Sequence, residues 1–380
     1  MFKLICKYRA NAKFTFVQQA SMKTNVIPND KSAFANRRRN FDLSSEYRQL
    51  LSVFPSIVEE VIEEQLFYHK NFPELKERYA KLLNYTCVLD DKYLSTGVSF
   101  LHAYKSFQKP NLLTEENLKK ACILAWCLRL LETSVIMDDD IIDNSKLRYN
   151  KPTWYNLPDV GIKKAICDAS FLETSVSYLL LNHFSSHPQY FNIQKELLRS
   201  YAPTMIAECM DLSKYKPNEF EKYQNVVRIY FFTVPFVLCA MYLVNIDNPQ
   251  LHTIARKILI DIAIYLASED DFDGVYGIKT QKDCTDVAEG KPTWLAIQAY
   301  KIGTESHRKI LDKHYGVDDN KSVMETYKIY DELNLKEKFE QYKEDFYNDT
   351  YKKIEQLPKE LPGQIFLDIL DFAVMGGFRV

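Results

Sequence analysis

Hydrophobic and polar positions recur with the period of an α-helix over most of the chain from Ser44 onward. In residues 44–68, large apolar side chains recur every three or four positions among acids. Thr114, followed by two glutamates, predicts the start of a helix that includes the apolar stretch 118–142. Further apolar helices are expected at residues 165–183, 193–212, 223–243 and 251–271, separated by breaks that contain proline. No series of strands is indicated, so the pattern predicts an all-α protein.

Composition agrees with this expectation and excludes several classes of function. The chain has 10 glycines in 380 residues, which disfavours a turn-rich β fold and a glycine-rich phosphate loop. A net charge of -2 gives no reason to expect a nucleic-acid partner. No apolar run reaches the ~18 residues that a membrane span needs. The eight cysteines form no CxxC pair and favour reduced thiols in an intracellular protein, and the histidines show no zinc-binding spacing.

The first 43 residues differ in charge from the rest of the chain. Residues 1–29 contain five basic side chains and no acid, and three arginines follow at 37–39. This composition is typical of a mitochondrial transit peptide. A disordered basic tail on a cytosolic protein is the alternative. We therefore expect residues 1–43 to be one of these two, and residues 44–380 to form a single all-α domain.

Candidate chemistry begins with the acidic run at residues 138–143. On a helix, Asp139 and Asp143 share one face, with Asp140 beside them. Clustered carboxylates repel each other unless a cation joins them, and Mg²⁺ prefers carboxylate and phosphate oxygens. A solvated acidic helix face is the alternative for such a run when it stands alone. An EF-hand is disfavoured, because its glycine and final glutamate are missing.

A second acidic run and a repeated tetrapeptide strengthen the metal interpretation. Residues 269–273 read Glu-Asp-Asp-Phe-Asp, and Lys-Pro-Thr-Trp follows each acidic run, at 151–154 and again at 291–294. This repetition indicates a faint pseudo-symmetry in which each half supplies carboxylates and a lysine to one central site. Such a site could hold several Mg²⁺ ions and a diphosphate. It would suit a reaction in which diphosphate leaves and a carbocation remains.

Together these motifs resemble the trans-isoprenyl diphosphate synthases, of the farnesyl type, over roughly residues 45–380. The resemblance implies the all-α isoprenoid synthase (class I terpenoid synthase) helical bundle, three Mg²⁺ ions, a prenyl diphosphate substrate and a homodimer. It implies six candidate metal ligands: Asp139, Asp140, Asp143, Asp270, Asp271 and Asp273. It also implies four residues that bind the allylic diphosphate: Arg148, Lys282, Lys291 and, by substitution, Arg228. Of these, Asp139, Asp140, Asp143, Arg148 and Asp270 are the candidate catalytic residues.

The chain departs from this family at the second pocket, where family members bind isopentenyl diphosphate. Tyr93 and Thr96 stand where the family has a lysine and an arginine, Glu132 replaces a glutamine, and Tyr149 replaces an arginine. The basic tail of the family is replaced by residues 376–380. Each lost charge-assisted hydrogen bond costs about 1.5–3 kcal/mol. We therefore expect most of the affinity for isopentenyl diphosphate to be missing.

These departures determine the functional interpretation. Ser134 and Val135 stand where the farnesyl-type enzymes carry bulky aromatics, so the substrate pocket should admit a chain of fifteen carbons or more. The chain most resembles insect terpene synthases derived from this family. The prediction is a lyase that ionises farnesyl diphosphate, in its E or Z isomer, to a sesquiterpene. The alternatives are a prenyltransferase that couples isopentenyl diphosphate to an allylic diphosphate, and a catalytically inactive regulatory subunit.

Overall fold

A computed structural model describes residues 33–36, 42–88, 95–213, 215, 219–220, 222, 233–277 and 285–375. Three residues of the sequence analysis, Tyr93, Arg228 and Lys282, lie outside the described residues, as do residues 1–32 and the C-terminal tail. The predicted roles of these positions stay predictions.

The described residues form fourteen α-helices, which confirms the all-α expectation. They are α1 (Ser44–Gln65), α2 (Pro73–Thr86), α3 (Ser95–Phe107), α4 (Glu115–Ile142), α5 (Gly161–Phe184), α6 (Tyr190–Asp211), α7 (Thr233–Leu243), α8 (Pro249–Tyr276), α9 (Asp286–Glu289), α10 (Trp294–Ile302), α11 (Glu305–His314), α12 (Asn320–Glu332), α13 (Leu335–Glu355) and α14 (Gly363–Met375). A short antiparallel hairpin pairs β1 (Leu147–Arg148) with β2 (Lys151–Pro152). It is the one piece of sheet among the described residues.

The first residues of α4 and α8 show which local sequence signals were sufficient to predict where a helix begins. Thr114 caps α4 as predicted, and its side chain accepts a hydrogen bond from the backbone N–H of Asn117. Pro249 was expected in a break, but it is the first residue of α8, capped by Asn248. Proline is tolerated there because the first helical N–H has no partner within the helix.

Helix α4 lies at the centre of the bundle. Nearly every residue between Ala121 and Val135 is buried, because α1, α3, α5 and α6 pack around it. A helix that is apolar on all sides is expected at such a position. The indole N–H of Trp126 donates to the carbonyl oxygen of Leu50 over 2.8 Å and joins α4 to α1. Surrounding helices therefore hold α4 firmly up to its last turn, which carries the first acidic motif.

A second apolar cluster holds the helices of the C-terminal part together. Phe272 of α8, Trp294 of α10 and Phe339 of α13 pack in it, with Phe272 and Phe339 stacked at a ring separation of 4.2 Å. This cluster fixes the end of α8, which carries the second acidic motif, against the start of α10. It thereby sets the position of Lys291, which lies just before α10.

Part of the segment before the predicted domain boundary at residue 43 contacts the helical domain, which its composition did not indicate. The short 3₁₀ turn Ala33–Asn36 packs on α13, where the backbone N–H of Phe34 donates to Asn348 over 3.1 Å. Leu43 is also buried. Part of the segment expected to be a leader or a tail therefore contacts the helical domain.

Two further findings concern the described residues as a whole. No helix among them combines the length and the apolarity needed to cross a bilayer. Six of the eight cysteines lie in the described part, and all six are free thiols.

Candidate active site

The first acidic motif lies at the C-terminal end of α4, where Arg148 of β1 reaches back to it. The Nε of Arg148 donates to Asp140 over 2.9 Å, and its Nη2 lies 2.8 Å from the same oxygen and also pairs with Asp139. Burial opposes the charge of Arg148, yet the two aspartates outweigh it and raise the pKa of the guanidinium. Asp138 interacts instead with Glu173 of α5, and burial together with that acid raises the pKa of Asp138 to about 6.

Lys291 brings together carboxylates from three different parts of the chain. Its Nζ lies 2.9 Å from Asp211 of α6, 3.1 Å from Glu289 of α9 and 3.3 Å from Asp143 at the end of α4. Asp286 is 3.8 Å away. The Lys291 side chain is only 7% exposed, so these acids compensate a buried charge. The predicted meeting of Lys291 with the first acidic motif is therefore observed.

Two acids at the end of α6 belong to the same cluster and were missed by the sequence analysis. Glu208 and Asp211 are three residues apart and share a helix face. Burial, followed by the negative charges of Asp139, Asp211 and Asp143, raises the pKa of Glu208 to about 7, although Lys291 partly opposes the shift. The available signal was an apolar helix that ends in acids, as α4 and α8 also do.

The second acidic motif divides into exposed and buried members. Asp270 is exposed and Asp273 half-buried near the end of α8. Asp271 is 1% exposed, and its carboxylate accepts the backbone N–H of Trp294 over 2.8 Å. This contact satisfies an N–H at the start of α10 and gives Asp271 a structural task, which argues against its predicted metal contact. The metal roles of Asp270 and Asp273 stay predictions.

The two copies of Lys-Pro-Thr-Trp do not have equivalent surroundings. Lys151 is exposed on β2, whereas Lys291 is buried among acids. The indole N–H of Trp154 donates to the fully buried Asp168 over 2.8 Å, whereas the second tryptophan uses its backbone. The expected pseudo-symmetry therefore does not extend to the lysines. In the first half of the chain, Arg148 rather than Lys151 pairs with the aspartates of the first motif.

Three substituted positions of the second pocket lie within the described residues, and they are close together. The hydroxyl of Thr96 donates to Glu132 over 2.7 Å, and the other oxygen of Glu132 lies 2.7 Å from Nη1 of Arg129. The hydroxyl of Tyr149 accepts a hydrogen bond from Arg129. Arg129 was not singled out in the sequence, because it lies between leucines in the apolar helix α4.

The two small residues before the first motif are buried within α4. Ser134 has no exposed surface and its hydroxyl donates to the carbonyl oxygen of Leu131 over 2.7 Å, and Val135 is also buried. The hydroxyl of Ser134 is therefore satisfied within its own helix. The predicted role of the pair in determining chain length stays a prediction.

The acids present fit a magnesium site in chemistry. Among the described residues, no three His, Cys, Asp or Glu side chains are placed so that they could hold a metal ion by themselves. Around Lys291, however, the side chains of Asp143, Asp211 and Glu289 all lie within 3.3 Å, so the carboxylates outnumber this cation. Carboxylate oxygens are the protein ligands that Mg²⁺ prefers, and it usually takes the rest from phosphates and water.

Comparisons with known proteins identify the relatives of this chain. The polyprenyl synthetase family model matches residues 76–333. A farnesyl pyrophosphate synthase from Rattus norvegicus is 30% identical over 348 residues, which cover 88% of this chain and 97% of the relative. One from Murgantia histrionica is 29% identical over 333 residues, covering 85% and 80%. The fold matches T. brucei farnesyl diphosphate synthase complexed with the bisphosphonate BPH-722, with a TM-score of 0.76 and 18% identity, covering 86% of this chain and 97% of the other.

These relatives correct the functional interpretation of the sequence. The predicted terpene synthase activity is wrong, because relatives at about 30% identity over most of the chain are named farnesyl pyrophosphate synthase. They favour the prenyltransferase alternative. The isoprenoid synthase fold is confirmed, and enzymes of this kind generally use Mg²⁺. The narrower resemblance to insect terpene synthases is not supported.

Proposed function

The chain belongs to the polyprenyl synthetase family, and we propose that it is a Mg²⁺-dependent prenyltransferase that couples isopentenyl diphosphate to an allylic diphosphate. One observation carries the proposal. Asp143, the residue after α4, meets Asp211 of α6 and Lys291 at one end of the bundle. At the same end of α4, Arg148 pairs with Asp139. Carboxylates and cations are therefore present in one place, which supports a site for Mg²⁺ and a diphosphate.

The acids and the cations have separate tasks in this proposal. Asp139, Asp140, Asp143, Asp270 and Asp273 would hold Mg²⁺, with three ions expected in all. Bound Mg²⁺ neutralises a diphosphate and makes it a better leaving group. Arg148 and Lys291 each contact acids in the structure and would donate to the oxygens of the allylic diphosphate. Their charges then stabilise the negative charge that grows on the leaving group.

The reaction needs no nucleophile from the protein. The C–O bond of the allylic diphosphate breaks and the electron pair leaves with the diphosphate. The double bond of isopentenyl diphosphate then forms a C–C bond to the allylic carbon. A proton is lost from the coupled cation, and the released diphosphate is a suitable acceptor for it. The apolar packing around α4 supports this chemistry, because water would quench the cation.

The small residues Ser134 and Val135 support a product of fifteen carbons or more. Both lie within two helical turns of Asp139 on α4, so a prenyl chain bound at the aspartates could extend toward them. Larger side chains there would shorten the available space.

A homodimer is part of the proposal. Helices α5 and α6 expose several large apolar side chains: Ile162, Ile166, Leu181, Leu198 and Ile206 are each between 47% and 59% exposed. Apolar surface of this kind marks an interaction site in many proteins. Light scattering of the purified protein should give the mass of two chains, and Leu198→Asp together with Ile206→Asp should lower it toward that of one chain.

The function is tested by supplying both substrates. Purified protein with Mg²⁺, geranyl diphosphate and radiolabelled isopentenyl diphosphate should yield labelled farnesyl diphosphate or longer products, and a chelator should stop the reaction. A hydrocarbon formed from geranyl or farnesyl diphosphate without consumption of isopentenyl diphosphate would overturn the proposal. Protein that consumes neither substrate would also overturn it and would favour an inactive subunit.

A further inference from the structure

A buried ion pair lies on the same helix as the first acidic motif, two turns before it. Arg129 and Glu132 of α4 are 1% and 3% exposed and face each other over 2.7 Å. Thr96 donates to the second oxygen of Glu132, and the hydroxyl of Tyr149 accepts from Arg129. Nη2 of Arg129 donates to the carbonyl oxygen of Thr86 over 3.5 Å, but Nε of Arg129 is buried and has no hydrogen-bond partner among the described residues. A buried N–H without a partner is rare, and it indicates a place that a further acceptor can occupy.

The hairpin between β1 and β2 places this ion pair beside the diphosphate-binding cation. Tyr149 and Asn150 form its turn, with φ of 53° and 61°, as a type I′ turn requires. A tyrosine rarely adopts this left-handed backbone, so its contact with Arg129 is made at a local cost. The preceding residue, Arg148, contacts Asp139. Arg148 and Tyr149 are consecutive residues of this hairpin. The proposed allylic site and Arg129 are therefore neighbours.

A reaction that joins two diphosphate substrates requires a second cationic binding site next to the first. Resting on the proposed function, we propose that Arg129 binds the diphosphate of the isopentenyl acceptor and that Glu132 sets the affinity for this acceptor by competing for Arg129. In the free protein, Glu132 is the anion that the buried guanidinium needs. In the complex, diphosphate oxygens accept from Arg129, including its unpaired Nε–H.

The local charges explain why Glu132 should be the determinant of specificity. The pair is neutral as a whole, so an incoming diphosphate meets no net positive charge there. It also comes close to a carboxylate that repels it. Glutamine has nearly the shape of glutamate and can keep both hydrogen bonds, donating to Thr96 and accepting from Arg129. Glu132→Gln therefore removes the competing charge and leaves Arg129 positive.

The experiment measures KM for each substrate separately, with Mg²⁺ present. Glu132→Gln should lower the KM for isopentenyl diphosphate by about tenfold or more, the equivalent of one charge-assisted hydrogen bond. The KM for geranyl diphosphate should not change. Glu132→Gln combined with Arg129→Gln should raise the KM for isopentenyl diphosphate again, because the cation is then gone. A purely structural ion pair would affect stability or kcat without this selective change in KM.

A second buried glutamate that pairs with arginine offers a control. Glu196 of α6 is 1% exposed and accepts from the partly exposed Arg256 of α8 over 2.6 Å and from Arg199 over 3.1 Å. Glu196→Gln should lower the melting temperature, because it weakens these ion pairs, and leave both KM values unchanged. If Glu132→Gln leaves the KM for isopentenyl diphosphate unchanged or raises it, or if the double variant equals Glu132→Gln, the assignment of Arg129 is overturned.

Failure of the proposed function is separable from failure of this inference. If neither the wild type nor Glu132→Gln consumes isopentenyl diphosphate, the prenyltransferase proposal fails. Calorimetric titration of isopentenyl diphosphate into the wild type, Glu132→Gln and the double variant still tests the site. Tighter binding by Glu132→Gln alone supports the role of Arg129, and equal binding by all three proteins overturns it.

Discussion

Glu208 should make the metal-free protein less stable as the pH rises. Burial and the charges of Asp139, Asp211 and Asp143 raise the pKa of Glu208 to about 7, from an ordinary value of 4.5. Between these two values the folded protein binds more protons at Glu208 than the unfolded chain does. The contribution of Glu208 to the free energy of unfolding is therefore fully present below pH 4.5. It decreases as the pH rises and is lost above pH 7.

The size of the effect follows from the two pKa values. A pKa raised from 4.5 to about 7 corresponds to ~3 kcal/mol of unfolding free energy lost across this range. For a chain of this length, such a loss lowers the melting temperature by about 4 °C. Glu208→Gln removes the ionisation and should gain this amount relative to the wild type at pH 8. At pH 4.5 the two proteins should differ little.

Urea or thermal unfolding in a chelator, at pH 4.5 and pH 8, measures this difference. Glu59→Gln, at an exposed glutamate of α1, is the control and should follow the wild type at both values. Adding Mg²⁺ with inorganic diphosphate should reduce the advantage of Glu208→Gln, because bound cations neutralise the cluster. If Glu208→Gln and the wild type lose stability in parallel between pH 4.5 and pH 8, the crowding of acids at the end of α6 has been misjudged.

Four further outcomes are expected. Asp143→Ala should lower turnover by about a thousandfold, because a metal ligand that acts on the leaving group is lost, and turnover near the wild-type rate would contradict its role. Asp270→Ala should reduce kcat more than Asp273→Ala, and the opposite order would show that the second motif was aligned wrongly. Ser134→Phe should shorten the main product in chromatography, and unchanged products would place the end of the pocket elsewhere. A fluorescent fusion of the full chain should enter mitochondria, whereas a diffuse signal would favour the basic-tail alternative.

The fold was largely predictable because the relevant signals are local or periodic. The apolar stretch that became α4 lacks a polar face, which is expected only for a helix surrounded by others. Thr114 marked its start through a hydrogen bond within one turn. Pro249 was misinterpreted because proline interrupts a helix interior but fits its first position. Local chemistry alone does not separate these two cases.

The site was only partly predictable, because its charges meet through tertiary contacts. The spacing of Asp139 and Asp143 placed them on one face, but no spacing could bring Asp211 of α6 to them. Asp271 looked like a metal ligand from its motif, whereas its place in the bundle directs it to the backbone at Trp294. Neighbours in a motif can thus have different tasks, and packing determines which of them is buried against another helix.

The functional error has a physical explanation in the second pocket. The sequence shows the charge that each substitution removes at its own position, but it does not show which other positions bring charge to the same place. Arg129, three residues before Glu132 on α4, supplies a guanidinium to the same place. A dianion responds to the sum of nearby charges, whichever positions of the chain supply them. With Arg129 counted, Glu132 cancels one cation, and a single isosteric change of Glu132 should then reveal how much affinity for the acceptor this pocket retains.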